Sequence, residues 1–303
     1  MDSSNQQDNE KEELKNKKPK NKLGNIKSDY FIIILFNYLQ RNKALQIIQY
    51  NKKTQRKLKI NNIEDYKEYS ETYSSIELEI IPVNYKYGIF INIFNKANEK
   101  YFHIYFNDDK EEIKRNYINP NDNVTKINIT IDYPIKSFYA LFCGCECIES
   151  INFKKFYRNN IISMQEMFIR CTSLKEINLS NFNTDNISSM RYMFANCSLL
   201  KKLDVSSLNT SKVYDMSFMF YQCSSLKEIK NISNFNTNKV LYMAGMFCGC
   251  SELEEINLSN FNTNNVKDVI DMFSGCSADL KMKIRSQFHN IKEGAFRNSI
   301  FTI

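Results

Sequence analysis

Glycine and proline are scarce, with 7 and 4 residues in a chain of 303. That excludes a collagen-like chain and Pro/Gly-rich disordered material. Glycine is also too rare for phosphate-cradling loops, and neither G-x-x-x-x-G-K-[ST] nor G-x-G-x-x-G occurs. Trp is absent and His occurs only as His103 and His289, so a histidine-based catalytic or metal centre has little to draw on. H-E-x-x-H is missing, and no nucleophile–base–orienter set has support. An enzyme is therefore not expected, nor any cofactor or metal. No apolar run approaches the roughly 18 residues of a membrane span, and mean hydropathy is −0.47. Membrane insertion is not expected either.

Neither sign of charge dominates: 41 basic residues stand against 34 acidic ones, a formal +7. A nucleic-acid binder gathers its Lys and Arg on one face or in a run. The one dense cluster is Lys15, Lys17, Lys18, Lys20 and Lys22, beside Glu10, Glu12 and Glu13. It reads as a solvated, disordered polyampholyte, so no nucleic-acid partner is expected. The first 27 residues are polar, and the apolar stretch YFIIILF (30–36) starts too late for an ordinary signal peptide. With nine cysteines, an odd number, the expectation is an intracellular, cytoplasmic protein with reduced thiols. High Asn, Ile and Lys usage hints at an AT-rich genome, such as a protist's.

What the chain does have is apolar content and a repeat. Apolar residues make up 43% and charged residues 25%, enough to bury a core. Its length suggests about two domains at roughly 100–200 residues each. Phe142, Phe168, Phe194, Phe220, Phe247 and Phe273 recur every 26 residues, once 27. Cys145, Cys171, Cys197, Cys223, Cys250 and Cys276 keep the same spacing, each three residues after its Phe. Leu141, Met167, Met193, Met219, Met246 and Met272 precede the Phe residues, and Phe138, Met164, Met190, Met216, Met243 and Val269 stand three residues earlier. The consensus is V-x-x-M-x-x-M-F-x-x-C-x-x-L-x-x-I-x-L-S-x-F-N-T. The 27-residue interval comes from SSLKEIKNISNF, one residue longer than TSLKEINLSNF.

Each repeat divides into two patterns. L-x-x-I-x-L, as in Leu174/Ile177/Leu179, Leu200/Leu203/Val205 and Leu253/Ile256/Leu258, ends in the alternation of a short strand. V-x-x-M-x-x-M-F spaces its apolar residues by three and one, which predicts a helical or 3-10 turn with one face inward. F-N-T between them suits a turn. A strand, a turn and a short helical return make one coil. One coil cannot bury its apolar face, but stacked coils bury a continuous core. Strands of successive coils would pair about 4.8 Å apart as a parallel sheet on one face. The Cys column then supplies small buried fillers, one per coil. A zinc site needs four converging ligands. Cys143, Cys147 and Cys248 do not pair at that spacing, so no metal is expected even at Cys143-Gly-Cys145-Glu-Cys147.

At SMRYMFANCSLLKKLDVSSLNTSKV and DMFSGCS the sequence resembles the BspA-like leucine-rich-repeat family, whose repeats run about 26 residues. The resemblance spans about 136–280. It implies an α/β fold: a leucine-rich-repeat-like right-handed solenoid of about six coils, with a parallel sheet on one face. It implies protein recognition and adhesion, with no catalytic residues to transfer. Members of the family act at cell surfaces, so a surface adhesin is one reading of this chain.

The rest of the chain reads as capping material. Residues 1–27 are a disordered polar tail. Residues 28–72 form a helical hairpin, from Ser28-Asp29 through Leu39 and then from about Lys43 to Leu58, with Leu45, Ile48 and Leu58 inward. LFNYL and ALQIIQYNKKTQRKL within it faintly resemble an F-box, lacking that motif's leading Leu-Pro and its Trp. That resemblance implies a substrate adaptor of a ubiquitin ligase; a plain cap is the alternative. Residues 73–135 form a β-rich N-terminal cap, with strands in IELEIIPV, YGIFINIF, KYFHIYF and VTKINITID and a hairpin turn at N-K-A-N-E-K. His103 reads as a strand-surface residue there. The repeats occupy 136–280, and 281–303 close the array with His289 exposed.

The leading expectation is a non-catalytic protein–protein interaction module that binds a protein partner through the exposed sheet face. The strand residues between core positions decorate that face: Ser150, Asn152, Glu176, Asn178, Lys202, Asp204, Glu228, Lys230, Glu255 and Asn257. Their mixed charge and lack of aromatics suit a polar protein partner better than DNA or lipid.

Overall fold

The structure, a computed structural model, describes Asp65, Glu71 and residues 74–132, 134–289 and 291–297. The chain divides into two compact units, Met1–Tyr73 and Ser74–Ile303. All described residues but Asp65 and Glu71 belong to the second. The expected tail over 1–27 and the F-box-like hairpin over 28–72 lie outside the described residues, apart from those two. The second unit is mostly strand and turn, with few helices.

Its sheet begins with strands whose alternation was legible. β1 (Ile76–Pro82), β3 (Phe102–Phe106) and β5 (Ile127–Ile131) turn every second residue into the core. Between them lie two short strands, β2 (Gly88–Ile89) and β4 (Tyr117–Ile118), which pair with each other. β6 (Ile148–Lys155) and β7 (Glu176–Asn178) complete a five-stranded sheet in the order β3-β5-β1-β6-β7. β6 pairs antiparallel with β1 and parallel with β7, so the N-terminal strands and the first repeats share one sheet.

Two expectations fail in this region. YGIFINIF does not form a long strand: β2 covers only two of its residues. Phe90 and Ile91 are buried as core residues instead, and Asn92 turns its side-chain amide onto the carbonyls of Ala140 and Cys143, at 3.1 and 2.8 Å. This segment therefore ends the repeat array by bonding its first turns. N-K-A-N-E-K is not a hairpin turn but the entry to a 3-10 helix, Lys96–Tyr101. The Asn95 side chain accepts from the Ala97 N–H, which caps a helix start and diverts the chain from pairing directly back on itself.

In the repeats, the continuous hydrogen-bond ladder runs through the Met-Phe segments. The N–H of Phe142 donates to the Met167 carbonyl at 2.8 Å; Phe168, Phe194, Phe220 and Phe247 repeat this onto the following unit at 2.9 Å. The phenyl rings stack above one another. Centroids from Phe142 to Phe168, Phe194, Phe220, Phe247 and Phe273 stand 5.5, 5.4, 5.7, 5.5 and 5.5 Å apart in turn. Every one of these rings, and each preceding Met or Leu, is buried.

The expected helical return is absent. From its second apolar position to its Cys, each unit is three overlapping four-residue turns, such as Met164–Met167, Glu166–Ile169 and Phe168–Cys171. The third residue of the first and last of these turns is left-handed, as Glu166 and Arg170 (φ 59°) show, which is the type II pattern. Alternate N–H groups close these turns while the others, at Glu166, Phe168 and Arg170, bond the next unit. A helix would spend all its N–H groups on itself and leave none for stacking. Apolar spacing by three fits both arrangements; backbone satisfaction between units decides for turns. Left-handed geometry explains why the residue before the repeat Cys is Gly144, Asn196, Gly249 or Gly275 in four of the units. Gly245 is stricter still: a Cβ there would meet the Phe218 ring at 2.5 Å.

The strand side is less regular than expected. β7, β8 (Lys202–Asp204) and β9 (Glu228–Lys230) are three residues each. β6 pairs with β7 and β8 with β9, both parallel, but β7 and β8 are not joined, and residues 254–258 form no strand. The predicted single parallel sheet is thus two pairs. The turn ladder, with fully buried Met and Phe, already sets the spacing of the units; three-residue strands with solvated outer side chains add little to hold it.

Buried threonines tie the corners. Thr210 Oγ1 donates to the Asn236 carbonyl at 3.2 Å and accepts the Asn236 N–H at 2.7 Å; Thr184 and Thr237 do the same toward Asn209 and Asn262. The array closes with the helix α1 (Ala278–Gln287), capped by the Ser277 hydroxyl accepting from Leu280 N–H. A 3-10 helix, Glu293–Phe296, then places Phe296 on Phe273 at 5.4 Å, ending the ring column.

Candidate partner-binding face

Eight of the ten residues expected on the outer face lie in register within two strand pairs, and Glu255 and Asn257 fall in a segment without a strand. Ser150 pairs with Glu176 and Asn152 with Asn178; Lys202 pairs with Glu228 and Asp204 with Lys230. Period-two alternation turns them outward because Ile151, Leu203 and Ile229 between them are buried. Glu176, Asn178, Lys202, Asp204, Lys230, Glu255 and Asn257 are exposed; Ser150, Asn152 and Glu228 are half-buried. Ser150 and Asn152 also face β1, opposite Ile81 and Glu79, which draws them into the shared sheet.

Most of this face is matched within itself. Asn178 donates to Asn152 at 2.9 Å, Lys202 lies 3.2 Å from Glu228, and Lys175 lies 3.2 Å from Glu149. Hydrogen bonds from the Asn231 amide and the Ser206 N–H hold the Asp204 carboxyl below the usual carboxylate range. These contacts are surface pairs and contribute at most about 1 kcal/mol each. They order the side chains without occupying them fully.

The face ends in a cleft of about 560 Å³. One wall is Glu228 and Ile229 of β9 with Glu255, Ile256 and Asn257 of the next unit, and the other comes from α1 and the residue after it: Leu280, Lys283, Ile284, Gln287 and Phe288. Sequence reasoning found three of these, Glu228, Glu255 and Asn257. It missed the α1 wall because 281–303 read only as a closing cap. The available signal was Leu280 and Ile284, an i,i+4 apolar pair that marks a helix face seated on the last repeat.

The thiols are structural. Cys171, Cys197, Cys223, Cys250 and Cys276 point inward, and each Sγ lies 3.0–3.2 Å from the carbonyl of the Phe 29 or 30 residues before it. Burial pushes the Cys223 and Cys276 thiols up to about 12. Among the described residues no group of three or more His, Cys, Asp or Glu side chains is placed to hold a metal. His103 is half-buried on β3 between two carboxylates, Nδ1 at 3.0 Å from Glu112 and Nε2 at 3.2 Å from Asp132. His289 is exposed. Among the described residues no helix is long and apolar enough to cross a membrane.

The model of the family described as "Mycoplasma protein of unknown function, DUF285" matches residues 136–230 and 204–293, together more than half of the chain. No curated protein matches. Among solved structures, a leucine-rich repeat protein from Bacteroides ovatus is similar over 58% of this chain, at 18% identity and a TM-score of 0.32. The match covers 56% of that protein, so the chain spans just over half its length.

Proposed function

The chain belongs to the DUF285 family, and from that premise we propose that it is a non-catalytic protein-interaction module that binds a protein partner through its outward strand residues. In this reading the repeats form a right-handed, leucine-rich-repeat-like solenoid of about six coils, of the BspA-like kind. The observation that carries the reading is the division of labour in the repeat. Met, Phe, Cys and Thr columns are buried and hold the units together, while a polar, ordered stripe is left to solvent. No nucleic acid enters the reading, because lysines on the stripe alternate with carboxylates. Nine free thiols, eight of them buried, suit a reducing compartment such as the cytoplasm.

The test exchanges charges so that neighbouring pairs survive with their signs swapped: E176K, K202E, D204K, E228K, K230E and E255K in one chain. Proteins retained from the source cells by the wild type and by this variant are compared, with circular dichroism as the fold control. Loss of a reproducible partner from an intact fold supports the reading. An unchanged partner set moves the binding surface off the stripe.

A further inference from the structure

Several charges on the strand face are matched from one unit to the next, though Glu176 and Lys230 are in no ion pair among the described residues. Lys175 meets Glu149, Lys202 meets Glu228, and Lys227 lies 3.7 and 3.8 Å from Glu252 and Glu254. Glu255 has no ion pair among the described residues. Its equivalent in the preceding unit is Glu228, another carboxylate, already held by Lys202. Across the cleft from Glu255 stands α1. Lys283 on that helix directs its ammonium to the Glu254 carbonyl, at 3.4 Å. Glu228 and Glu255 hold equivalent places in neighbouring units, where like charges repel, and Glu255 is left without an ion-paired cation.

That carboxylate lies in the cleft whose floor is apolar: Ile229, Ile256 and Phe288 line it beside Glu228 and Glu255. A long aliphatic side chain ending in a cation fits both features, stem on the floor and charge at the carboxylates. We propose that this cleft receives a lysine or arginine side chain from a protein partner. The inference rests on the interaction reading above and names the chemistry the partner presents. A bare metal ion is the poorer occupant, since an apolar floor supplies it no ligands.

The test titrates the full chain with three terminally blocked tripeptides, Ala-Arg-Ala, Ala-Lys-Ala and Ala-norleucine-Ala, following the methyl signals of Ile229 and Ile256 by NMR. The expected result is saturable shifts with the Arg and Lys peptides, suppressed by salt. E255Q weakens them about tenfold, a charge-assisted contact's worth. K283M, which removes a like charge from the far wall, strengthens them a few-fold, and E146Q, at an exposed carboxylate outside both the cleft and the stripe, leaves them unchanged. Equal binding of the norleucine peptide, no effect of E255Q, or no shifts at all overturns the proposal. If the charge-exchanged chain loses its partner while the Arg peptide leaves the cleft signals unmoved, the interaction reading stands and this one falls.

Discussion

Replacing Phe194 by alanine tests the stacked core most directly. The ring is fully buried and lies between two others, 5.4 Å from Phe168 and 5.7 Å from Phe220, nearly parallel to both. Removing a buried Phe costs about 3–5 kcal/mol. With neighbours on both sides fixed by the Phe168 and Phe194 N–H bonds to Met193 and Met219, the gap cannot close by sliding the units, so the loss belongs at the upper end. For a body of roughly 150–250 residues, about 2–4 °C of Tm is lost per kcal/mol, giving a drop on the order of 10–20 °C. Thermal and urea unfolding followed by circular dichroism read it. Two companion variants set the scale. Phe296→Ala, at the end of the column with one ring neighbour, costs less. Phe94→Ala, where the ring is 70% exposed, costs no more than about 0.5 kcal/mol. Equal losses for Phe194 and Phe94, or a Phe194 loss under about 2 kcal/mol, would refute the reasoning.

Thr210→Val keeps the volume of a buried side chain but strands the Asn236 N–H and carbonyl, both bonded to its hydroxyl; about 1–3 kcal/mol is lost in urea titration, and no loss would mean the corner ladder contributes nothing. At pH 8 in the native state, dithionitrobenzoate modifies Cys143, the one thiol not buried, well before the other eight, and all nine react once the chain is unfolded. Rapid native reaction of Cys223, whose thiol burial raises to about 12, contradicts the inward column. Arg115 bonds Asp122 at 2.6 and 2.8 Å and holds its carboxyl below the usual range. A depressed carboxyl contributes stability above its unfolded pKa and loses it as pH falls through the folded one. Stability of the wild type therefore falls on acidification below about pH 4, and Asp122→Asn shows a shallower fall over that window; identical acid profiles would remove this pair from the account.

The repeat itself was legible because burial leaves a one-dimensional trace. A ring that stacks on its own equivalent must recur at the repeat length, and Phe142 through Phe273 do so. The outward stripe followed from period-two alternation around Ile151, Leu203 and Ile229. The turn geometry was not legible from apolar spacing, since Met164, Met167 and Phe168 fit a helix equally well; the glycine or asparagine before the repeat Cys was the one local sign, and it recurs in only four units. The cleft as a whole was out of reach, because the segment carrying Glu255 and the helix carrying Lys283 are brought to its two walls only by the fold.

Sequence periodicity alone thus determined which side chains are buried and which face solvent, because that division depends only on a residue's place within its own repeat. Tertiary structure decided where the backbone N–H groups go, which strands pair, how the N-terminal sheet joins the array through β6, and which carboxylates are ion-paired. Those outcomes depend on what the neighbouring unit offers, and a hydrogen bond or an ion pair between units exists only once both are in place.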